Sequence, residues 1–504
     1  MVRIIFLVVV LNRETKGGPI MSIFFDERKV YRNLVNGEWV LSGSGRTIDI
    51  ISPVDGSLVG SVQAVTRQEV DRTIEVSKSN LSEWAEIPIY EKANILYKAA
   101  ALLEERADEI SDVLVMEIAK DKKSAVSEIK RTSDFLRFTA DTGKSMEGLA
   151  IGGENFPGGS RNKISFVRKV PLGTVLAISP FNYPVNLSAS KIGPALMGGN
   201  SVILKPATQG AVSALHLVKA INDAGLPKGI LNTVTGRGSE IGDYIVEHEG
   251  INFVNFTGST EVGKHISDLV CMTPLMLELG GKDAAIVLAD ADMEFAADNI
   301  VDGAFAFSGQ RCTAVKRILT TDEVADRLIP MLRERIEKLK VGDPRVNAVI
   351  VPLIDGKSAD YAQYLIEDAI SKGAKLITGN RRAGNLIDPT LLDCVTVDME
   401  IAWKEPFAPL LPVLRVRDID QAIEVANKSE YGLQSSVFTN SINHAFYIAD
   451  RLEVGTVQIN NKTERGPDHF PFLGIKASGM GTQGIRYSID AMTRPKAITI
   501  NLKS

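Results

Sequence analysis

A repeated alternation of strand and helix patterns between positions 173 and 321 constrains the fold more than any other feature of the chain. Four short runs rich in β-branched and apolar residues have the pattern of buried strands: Thr174–Ser179, Ser201–Leu204, Leu231–Val234 and Asn252–Phe256. Segments with helical periodicity separate them, at Asn186–Met197, Thr208–Ala224 and Ser239–Glu247. The alternation predicts a parallel sheet covered by helices, which binds ligands at the carboxyl ends of its strands.

A second α/β region is predicted to follow the first. Its strand patterns lie at Ala284–Leu288 and Arg317–Thr321, and its helix patterns at Glu294–Phe307, Val324–Leu339 and Ser358–Ser371. The segment Ser145–Lys169, rich in glycine and asparagine, interrupts the alternation and is typical of a projecting hairpin. Since 504 residues are too many for one hydrophobic core, we expect two or three domains.

The charge of the chain gives no indication of a nucleic-acid or membrane partner, because the net charge is −5. The apolar run Ile4–Leu11 is too short to span a bilayer and is not followed by a small-residue cleavage site. We therefore expect a cytosolic protein whose effective N-terminus is near Met21.

The cysteines and histidines do not predict a metal site. Cys271, Cys312 and Cys394 are far apart in the sequence, in a spacing that supports neither a disulfide framework nor a thiolate zinc site. The five histidines also lack metal-ligand spacing. This cysteine usage fits a reducing compartment, so we expect a cytoplasmic location.

Three short segments contain candidate catalytic side chains. Cys312 follows a helical segment that ends near a glycine, where a loop could hold a nucleophilic thiol in a cleft; alternatively it is a small buried apolar residue. Glu278 ends an apolar strand before two glycines, and burial would make it a base for water, unless it caps a turn or pairs with Lys282. Asn182 lies in a proline-fixed turn and could donate to an oxyanion, or simply form the turn.

Two glycine-rich segments are candidate phosphate sites. Gly236–Gly242 nearly matches GxGxxG but has one residue too many before its last glycine. Gly258–Lys264 matches the GxxxxGK pattern of a P-loop kinase, yet His265 stands where Ser or Thr should bind magnesium. A strand followed by Thr257, Gly258 and Ser259 and then by a helix also fits a dinucleotide pyrophosphate. We favour the dinucleotide, with the kinase as the alternative from another class.

Six motifs together resemble the aldehyde dehydrogenase superfamily, in the order that the family has them. They are Pro180–Pro184, Lys205–Ala207, Phe256–Thr260, Glu278–Lys282, Gly309–Cys312 and Glu405–Phe407. The resemblance extends from Val30 to Ala497. It implies an α/β fold with a Rossmann-like cofactor domain at 22–144 and 170–279, an α/β catalytic domain at 280–484, and a small β oligomerisation arm at 145–169 and 485–504. It also implies a homotetramer or homodimer.

The resemblance assigns roles to individual residues. Cys312 is expected to be the nucleophile, Glu278 the general base and Asn182 the oxyanion donor, and no metal is expected. The residues expected to bind the cofactor are Lys205, Thr208, Gly238, Gly258, Ser259, Glu405 and Phe407. NAD-preferring members of the family usually have glutamate where this chain has Thr208, so the absent carboxylate and the Lys205 ammonium favour NADP, with weaker use of NAD.

Three further stretches are most similar to the non-phosphorylating glyceraldehyde-3-phosphate dehydrogenase subfamily: Gly309–Arg317, Arg465–Phe472 and Lys130–Asp134. That resemblance implies that Arg131, Tyr183, Arg311 and Arg465 bind the phosphate of a small phosphorylated aldehyde. Guanidinium groups match phosphate geometry, although each arginine could instead form a structural salt bridge. A succinic semialdehyde or lactaldehyde dehydrogenase is the alternative.

Overall fold

The computed structural model describes residues 24–503. The apolar run Ile4–Leu11 and the expected start at Met21 lie outside the described residues, so the hypothesis about the N-terminus stays a prediction. Within 24–503, no helix combines the length and the apolar composition needed to cross a bilayer.

The first sheet has six strands, and all four predicted strands are among them. Its spatial order is Leu231–Thr233, Ser201–Pro206, Thr174–Ser179, Phe253–Thr257, Leu275–Glu278 and Gly479–Met480. The first five strands are parallel, and the sixth is antiparallel. The chain moves outward from Thr174–Ser179 on one side and then returns to its other side. A ligand site is expected at the carboxyl end of such a reversal in strand order.

Helices surround this sheet. They are Arg67–Ser79, Leu81–Glu86, Ile89–Glu105, Ala107–Ile118, Lys122–Lys144, Asn186–Met197, Ala211–Asp223, Gly238–Val246, Thr260–Leu269 and Ile485–Ala491. The helix predicted from Thr208 begins only at Ala211, because Gly210 before it has a φ of 95°. The helix Asn186–Met197 is buried along its whole length, since it packs between the sheet and the helix Lys122–Lys144.

Short N-terminal strands, which periodicity did not predict, pack at one end of this unit. Val30–Tyr31, Thr47–Ile51 and Leu58–Gln63 form a three-stranded sheet, and Asn33–Val35 pairs with Glu38–Val40. Val30–Tyr31, Asn33–Val35 and Glu38–Val40 have only two or three residues each, which is too short to show a clear alternation of apolar and polar positions.

The second sheet has seven strands and confirms the second α/β region. Its spatial order is Lys375–Thr378, Thr390–Asp393, Leu410–Arg415, Arg317–Thr320, Ala284–Val287, Gln434–Phe438 and Thr456–Ile459. Only the first of these strands is antiparallel to its neighbour. The accompanying helices are Met293–Phe305, Asp322–Ile336, Gly356–Ser371, Ile419–Asn427 and Ile442–Ala449. Two small strand pairs complete the region, Arg382–Ala383 with Leu386–Ile387 and Tyr431–Gly432 with Ile475–Lys476.

The predicted hairpin forms an antiparallel pair of strands, Leu149–Gly152 and Lys163–Pro171. The C-terminal strand Thr493–Asn501 pairs with the second of these along nine residues. We call this three-stranded sheet the arm. Large apolar side chains of the arm are exposed, including Phe166 at 47% and Ile498 at 46%. The boundaries assigned to the three domains stay a prediction.

Candidate active site

A cleft of about 800 Å³ opens at the carboxyl ends of the first sheet, where the strand order reverses. Asn182 and Cys312 line it, together with all seven residues predicted to bind a cofactor: Lys205, Thr208, Gly238, Gly258, Ser259, Glu405 and Phe407. Its size and its mixture of apolar and convergent polar groups are those of a small-molecule site.

A strained turn carries Cys312 into this cleft. The helix Met293–Phe305 ends two residues earlier than predicted, because Phe307 and Ser308 have φ values of 52° and 53°. The Ser308 hydroxyl accepts from the Val351 backbone N–H at 2.7 Å, which holds the turn in place. Residues other than glycine rarely adopt this left-handed backbone, and such strain is often found at functional sites.

The Cys312 thiol is half-buried and faces the cleft, so its sulfur is not sealed in the hydrophobic core. Burial raises the pKa of this thiol to about 12, and the negative charge of Glu278 adds to the rise. The Lys316 ammonium opposes this shift. In this conformation the thiol is therefore protonated at neutral pH, and it must lose its proton before it can act as a nucleophile.

Asn182 lies beside the loop that carries Cys312. Its Nδ2 donates to the backbone carbonyl oxygen of Gln310 at 3.0 Å, and the backbone carbonyl oxygen of Asn182 accepts from Lys120 Nζ at 2.7 Å. Lys120 is fully buried and also bonds Glu128, whose Oε1 accepts from two backbone N–H groups at the start of the helix Asn186–Met197. This buried ion pair was not predicted, because nothing local distinguishes Lys120, between two helices, or Glu128, within the second, from ordinary surface charges.

Glu278 is 2% exposed, and cationic side chains surround it. Its carboxylate accepts from Arg465 Nη1 at 2.8 and 3.0 Å and from the Thr257 hydroxyl at 3.0 Å. Lys191 Nζ donates to the same hydroxyl at 2.6 Å, and burial lowers the pKa of Lys191 to about 7. Lys282, the alternative partner, does not pair with Glu278; its Nζ has no hydrogen-bond partner among the described residues.

The four predicted phosphate ligands are only partly brought together. Arg131 and Arg465 are adjacent, since Arg131 Nη2 donates to the Arg465 carbonyl oxygen at 2.7 Å. Arg131 also forms a bidentate pair with Asp468 at 2.7 and 2.8 Å. Lys120 Nζ lies over the face of the Tyr183 ring, 3.5 Å from the ring centroid. Arg311 is buried, and its guanidinium donates to the backbone carbonyls of residues 302 and 303 at a helix end rather than facing the cleft. Phosphate binding by these residues stays a prediction.

The part of the cleft lined by Gly238, Ser259 and Lys205 is suited to an anion. The helix Thr260–Leu269 begins there, capped by Ser259 Oγ, which accepts from the Val262 N–H at 3.3 Å. A second helix N-terminus, at Gly238, faces the same space. Helix N-termini attract phosphate through unpaired N–H groups and the helix dipole. The Lys205 ammonium lies in the same wall, and burial lowers its pKa to about 8.

The P-loop alternative is not supported by this arrangement. Lys264, which would have to bind a phosphate, does not line the cleft; it is more than half exposed and pairs with Glu430 at 3.4 Å. His265 replaces the expected hydroxyl, and its Nε2 lies 3.0 Å from Asp243 Oδ1. Within residues 24–503, no three His, Cys, Asp or Glu side chains are grouped to hold a metal ion.

Glu405 connects the cleft to the second sheet. Its Oε1 accepts from the Gly281 N–H at 3.1 Å and lies 3.1 Å from Lys316 Nζ. The sequence motifs included Lys316 without giving it a role. Phe407 and Phe181 both line the cleft, with the two rings edge to face and 5.9 Å between their centroids.

The chain is similar to known proteins along nearly its whole length. The model of the aldehyde dehydrogenase family matches residues 39–498. The NADP-dependent glyceraldehyde-3-phosphate dehydrogenase of Streptococcus equinus is 54% identical over 474 residues, which cover 94% of this chain and 99% of that protein. The protein of the same name from Triticum aestivum is 50% identical over 487 residues, or 96% of this chain and 98% of that one.

A solved structure is also similar to this chain. The crystal structure of NADP-dependent glyceraldehyde-3-phosphate dehydrogenase from Bacillus halodurans C-125, complexed with NADP, superimposes with a TM-score of 0.93 at 52% identity. The match covers 94% of this chain and 99% of that chain. The predicted α/β fold is thereby confirmed.

Proposed function

The chain belongs to the aldehyde dehydrogenase family, and from this premise we propose what reaction its cleft performs. The enzyme oxidises glyceraldehyde 3-phosphate with NADP. The product is 3-phosphoglycerate, and no inorganic phosphate takes part. One observation carries the proposal: a single cleft contains Cys312, Asn182 and the whole set of predicted cofactor residues.

The donors of the cleft fit NADP. Two helix N-termini suit a pyrophosphate, and the buried Lys205 ammonium suits an additional phosphate on the ribose. Position 208 offers a hydroxyl rather than a carboxylate, so it does not repel that phosphate. Glu405 would accept from ribose hydroxyls, as the family resemblance implies. When bound, NADP supplies the acceptor for the hydride that leaves the substrate.

Cys312 forms and breaks the covalent bonds in the proposed mechanism. After losing its proton, the thiolate adds to the aldehyde carbon and gives a thiohemiacetal oxyanion. Asn182 Nδ2 has two hydrogens and gives only one to the Gln310 carbonyl, so the other can donate to this oxyanion, together with the Cys312 backbone N–H. Loss of hydride leaves an acyl thioester on Cys312. Water then attacks the thioester, and the thiol departs as the acid forms.

Glu278 is proposed to take the proton from that water. In this conformation its carboxylate is bound by Arg465 and the Thr257 hydroxyl. Arg465 is also the guanidinium expected to bind the substrate phosphate. Because phosphate is a strong ligand for arginine, its binding would compete with Glu278 for Arg465 and leave the carboxylate more available to water.

The arm supports an oligomer, and we expect a homotetramer, with a homodimer as the alternative. Exposed apolar side chains on three paired strands, such as Phe166 and Ile498, are typical of a surface covered in an assembly. We also propose that the enzyme is cytoplasmic and acts in glycolysis.

The test is NADPH formation from glyceraldehyde 3-phosphate in a buffer free of inorganic phosphate. We expect turnover with NADP and slower turnover with NAD. Succinic semialdehyde and lactaldehyde, assayed at equal concentration, distinguish the alternatives. Good turnover of either, with none of glyceraldehyde 3-phosphate, would reject the proposed substrate while leaving the family unchanged.

A further inference from the structure

Lys316 is one of the most completely buried charged residues in the described chain, with 1% of its surface exposed. It lies immediately before the strand Arg317–Thr320, and its backbone N–H donates to the Asp283 carbonyl oxygen at 2.9 Å. Burying an ammonium is costly unless acceptors are fixed around it. The partners of Lys316 therefore indicate its role.

Both partners belong to the proposed catalytic machinery. Lys316 Nζ donates to the backbone carbonyl oxygen of Cys312 and forms an ion pair with Glu405 Oε1 at 3.1 Å. A single ammonium thus contacts the residue that carries the nucleophile and the carboxylate expected to bind the nicotinamide ribose. The two are 93 positions apart in the sequence and come from different segments of the fold.

Glu405 has little freedom to choose another position. Its Oε1 also accepts from the Gly281 N–H at 3.1 Å, and a Cβ added at Gly280 would collide with its Oε2. The carboxylate is therefore packed against the backbone of Gly280 and Gly281 and is also held by Lys316. Loss of the ammonium would release the carboxylate and the Cys312 carbonyl together.

We propose that Lys316 is a positioning residue that fixes the cofactor-binding carboxylate of Glu405 to the backbone of Cys312, so that cofactor affinity and nucleophile reactivity depend on the same ammonium. This inference rests on the proposed function, because that function assigns the roles of Glu405 and Cys312. Lys316 Nζ bonds the backbone carbonyl oxygen of Cys312 and not its sulfur, so its role is to position other groups.

Electrostatics support the same role. The charged groups that act on the Cys312 thiol are Glu278, Lys316, Glu405 and Arg465. Glu278 and Glu405 raise the thiol pKa, whereas Lys316 and Arg465 lower it. Around Lys316 itself lie Lys282, Asp283, Arg317 and Glu405. Removing the ammonium would thus leave Glu405 uncompensated beside the thiol and make the thiolate harder to form.

The experiment compares Lys316→Met, which keeps most of the length of the side chain without its charge, with Lys316→Arg, which keeps the charge. Two quantities are measured without any aldehyde: the pH profile of the Cys312 alkylation rate with iodoacetamide between pH 7 and 9, and the dissociation constant of NADP from protein fluorescence. Wild-type turnover of glyceraldehyde 3-phosphate is measured separately, so failure of the proposed function is recognised independently of this inference.

A matched control is Lys282→Met. Lys282 is also buried and lies in the same cluster, but its Nζ has no hydrogen-bond partner among the described residues. Removing it deletes a buried amine without deleting a link to Glu405 or Cys312. We expect its alkylation profile and its NADP dissociation constant to match those of the wild type.

For Lys316→Met we expect the rate of Cys312 alkylation to fall about tenfold or more at each pH between 7 and 9, because below the thiol pKa that rate follows the thiolate fraction, and the NADP dissociation constant to rise about tenfold. Lys316→Arg should recover much of both. The inference is overturned if Lys316→Met changes neither quantity beyond about twofold, or if Lys282→Met changes them equally, since that would indicate general loss of packing.

A second variant covers the case in which Lys316→Met does not fold, as judged by circular dichroism. Glu405→Gln keeps the shape of the side chain and removes the counter-charge of the ammonium. If Lys316 links the two residues, Glu405→Gln should alkylate faster at Cys312 than the wild type at the same pH, while its NADP affinity weakens. An unchanged alkylation rate would contradict the link.

Discussion

The cofactor half of the site and its substrate half are built in different ways. In the cofactor half, Gly238 and Ser259 stand at helix starts, and Lys205 lies in a buried strand. In the substrate half, Arg131 and Arg465 are long side chains whose acidic partners, Asp468 and Glu278, are 337 and 187 positions away. A short sequence motif can predict a site that is formed by the backbone of one segment. It does not predict which side chains will pair when the partners are distant in the sequence.

The largest expected effect tests whether the two halves act independently. Cys312 is the proposed nucleophile and lies between the two halves. Cys312→Ser should lower steady-state turnover by at least about 10³-fold, because a serine hydroxyl without a dedicated base is a poor nucleophile. The NADP dissociation constant should stay within about twofold of the wild type. Loss of NADP binding would show that the halves are not separable.

Glu278→Gln should stop the reaction after one step. Without a carboxylate to accept the proton of water, the thioester persists, and steady-state turnover should fall about 10²- to 10³-fold. A pre-steady-state burst of about one NADPH per active site should remain in stopped-flow absorbance. Normal steady-state turnover would exclude Glu278 as the base.

Arg465→Ala and Arg311→Ala test which arginines of the substrate half bind the phosphate and which stabilise the fold. Arg465→Ala should lower kcat/KM for glyceraldehyde 3-phosphate about 100-fold and that for unphosphorylated glyceraldehyde much less. Arg311 bonds only backbone carbonyls at a helix end, so its removal should cost about 1–3 kcal/mol of stability and lower the thermal unfolding temperature. If Arg311→Ala instead impairs only the phosphorylated substrate, then Arg311 must leave the helix end to bind phosphate.

Thr208→Glu tests the cofactor half. A carboxylate near the expected ribose phosphate should weaken NADP binding about 30-fold while leaving NAD binding unchanged or improved, because like charges repel. The ratio of the two dissociation constants, measured by fluorescence, gives the answer. Equal weakening of both cofactors would mean that position 208 does not face the phosphate.

The smallest expected effect is a pH dependence specific to NADP. Burial lowers the pKa of Lys205 to about 8, and only the protonated amine attracts a phosphate. NADP affinity should therefore be full below pH 8 and fall as pH rises, by about tenfold between pH 7 and 9. NAD lacks the additional phosphate and provides the control; a parallel loss of NAD affinity would point to another group.

The sequence located most of the regular structure correctly. Strands such as Thr174–Ser179 and helices such as Asn186–Met197 match their predicted bounds, because buried apolar runs and helical periodicity are local signals. The end of the helix before Cys312 was misplaced by two residues. Phe307 and Ser308 adopt left-handed backbone there, and neither residue type signals such a conformation.

The predicted site residues show the same division. Those at strand and helix ends were found from motifs, and all of them except Glu278 line one cleft. The pairing of Glu278 with Arg465, the buried Lys120–Glu128 pair and the contacts of Lys316 were not predicted. Each of these contacts depends on which segments pack together in the folded protein, and a single sequence contains no local pattern that predicts such packing.

The strand Gly479–Met480 has a consequence for dissecting the molecule. It comes from beyond the second sheet, yet it covers the outer edge of Leu275–Glu278, the strand that ends in the candidate base. A fragment truncated before residue 479 would leave that strand with a bare row of N–H and C=O groups, a template for pairing with other molecules. Residues from beyond the second sheet thus complete the first sheet. A fragment that contains the first sheet without Gly479–Met480 should therefore aggregate when it is expressed alone.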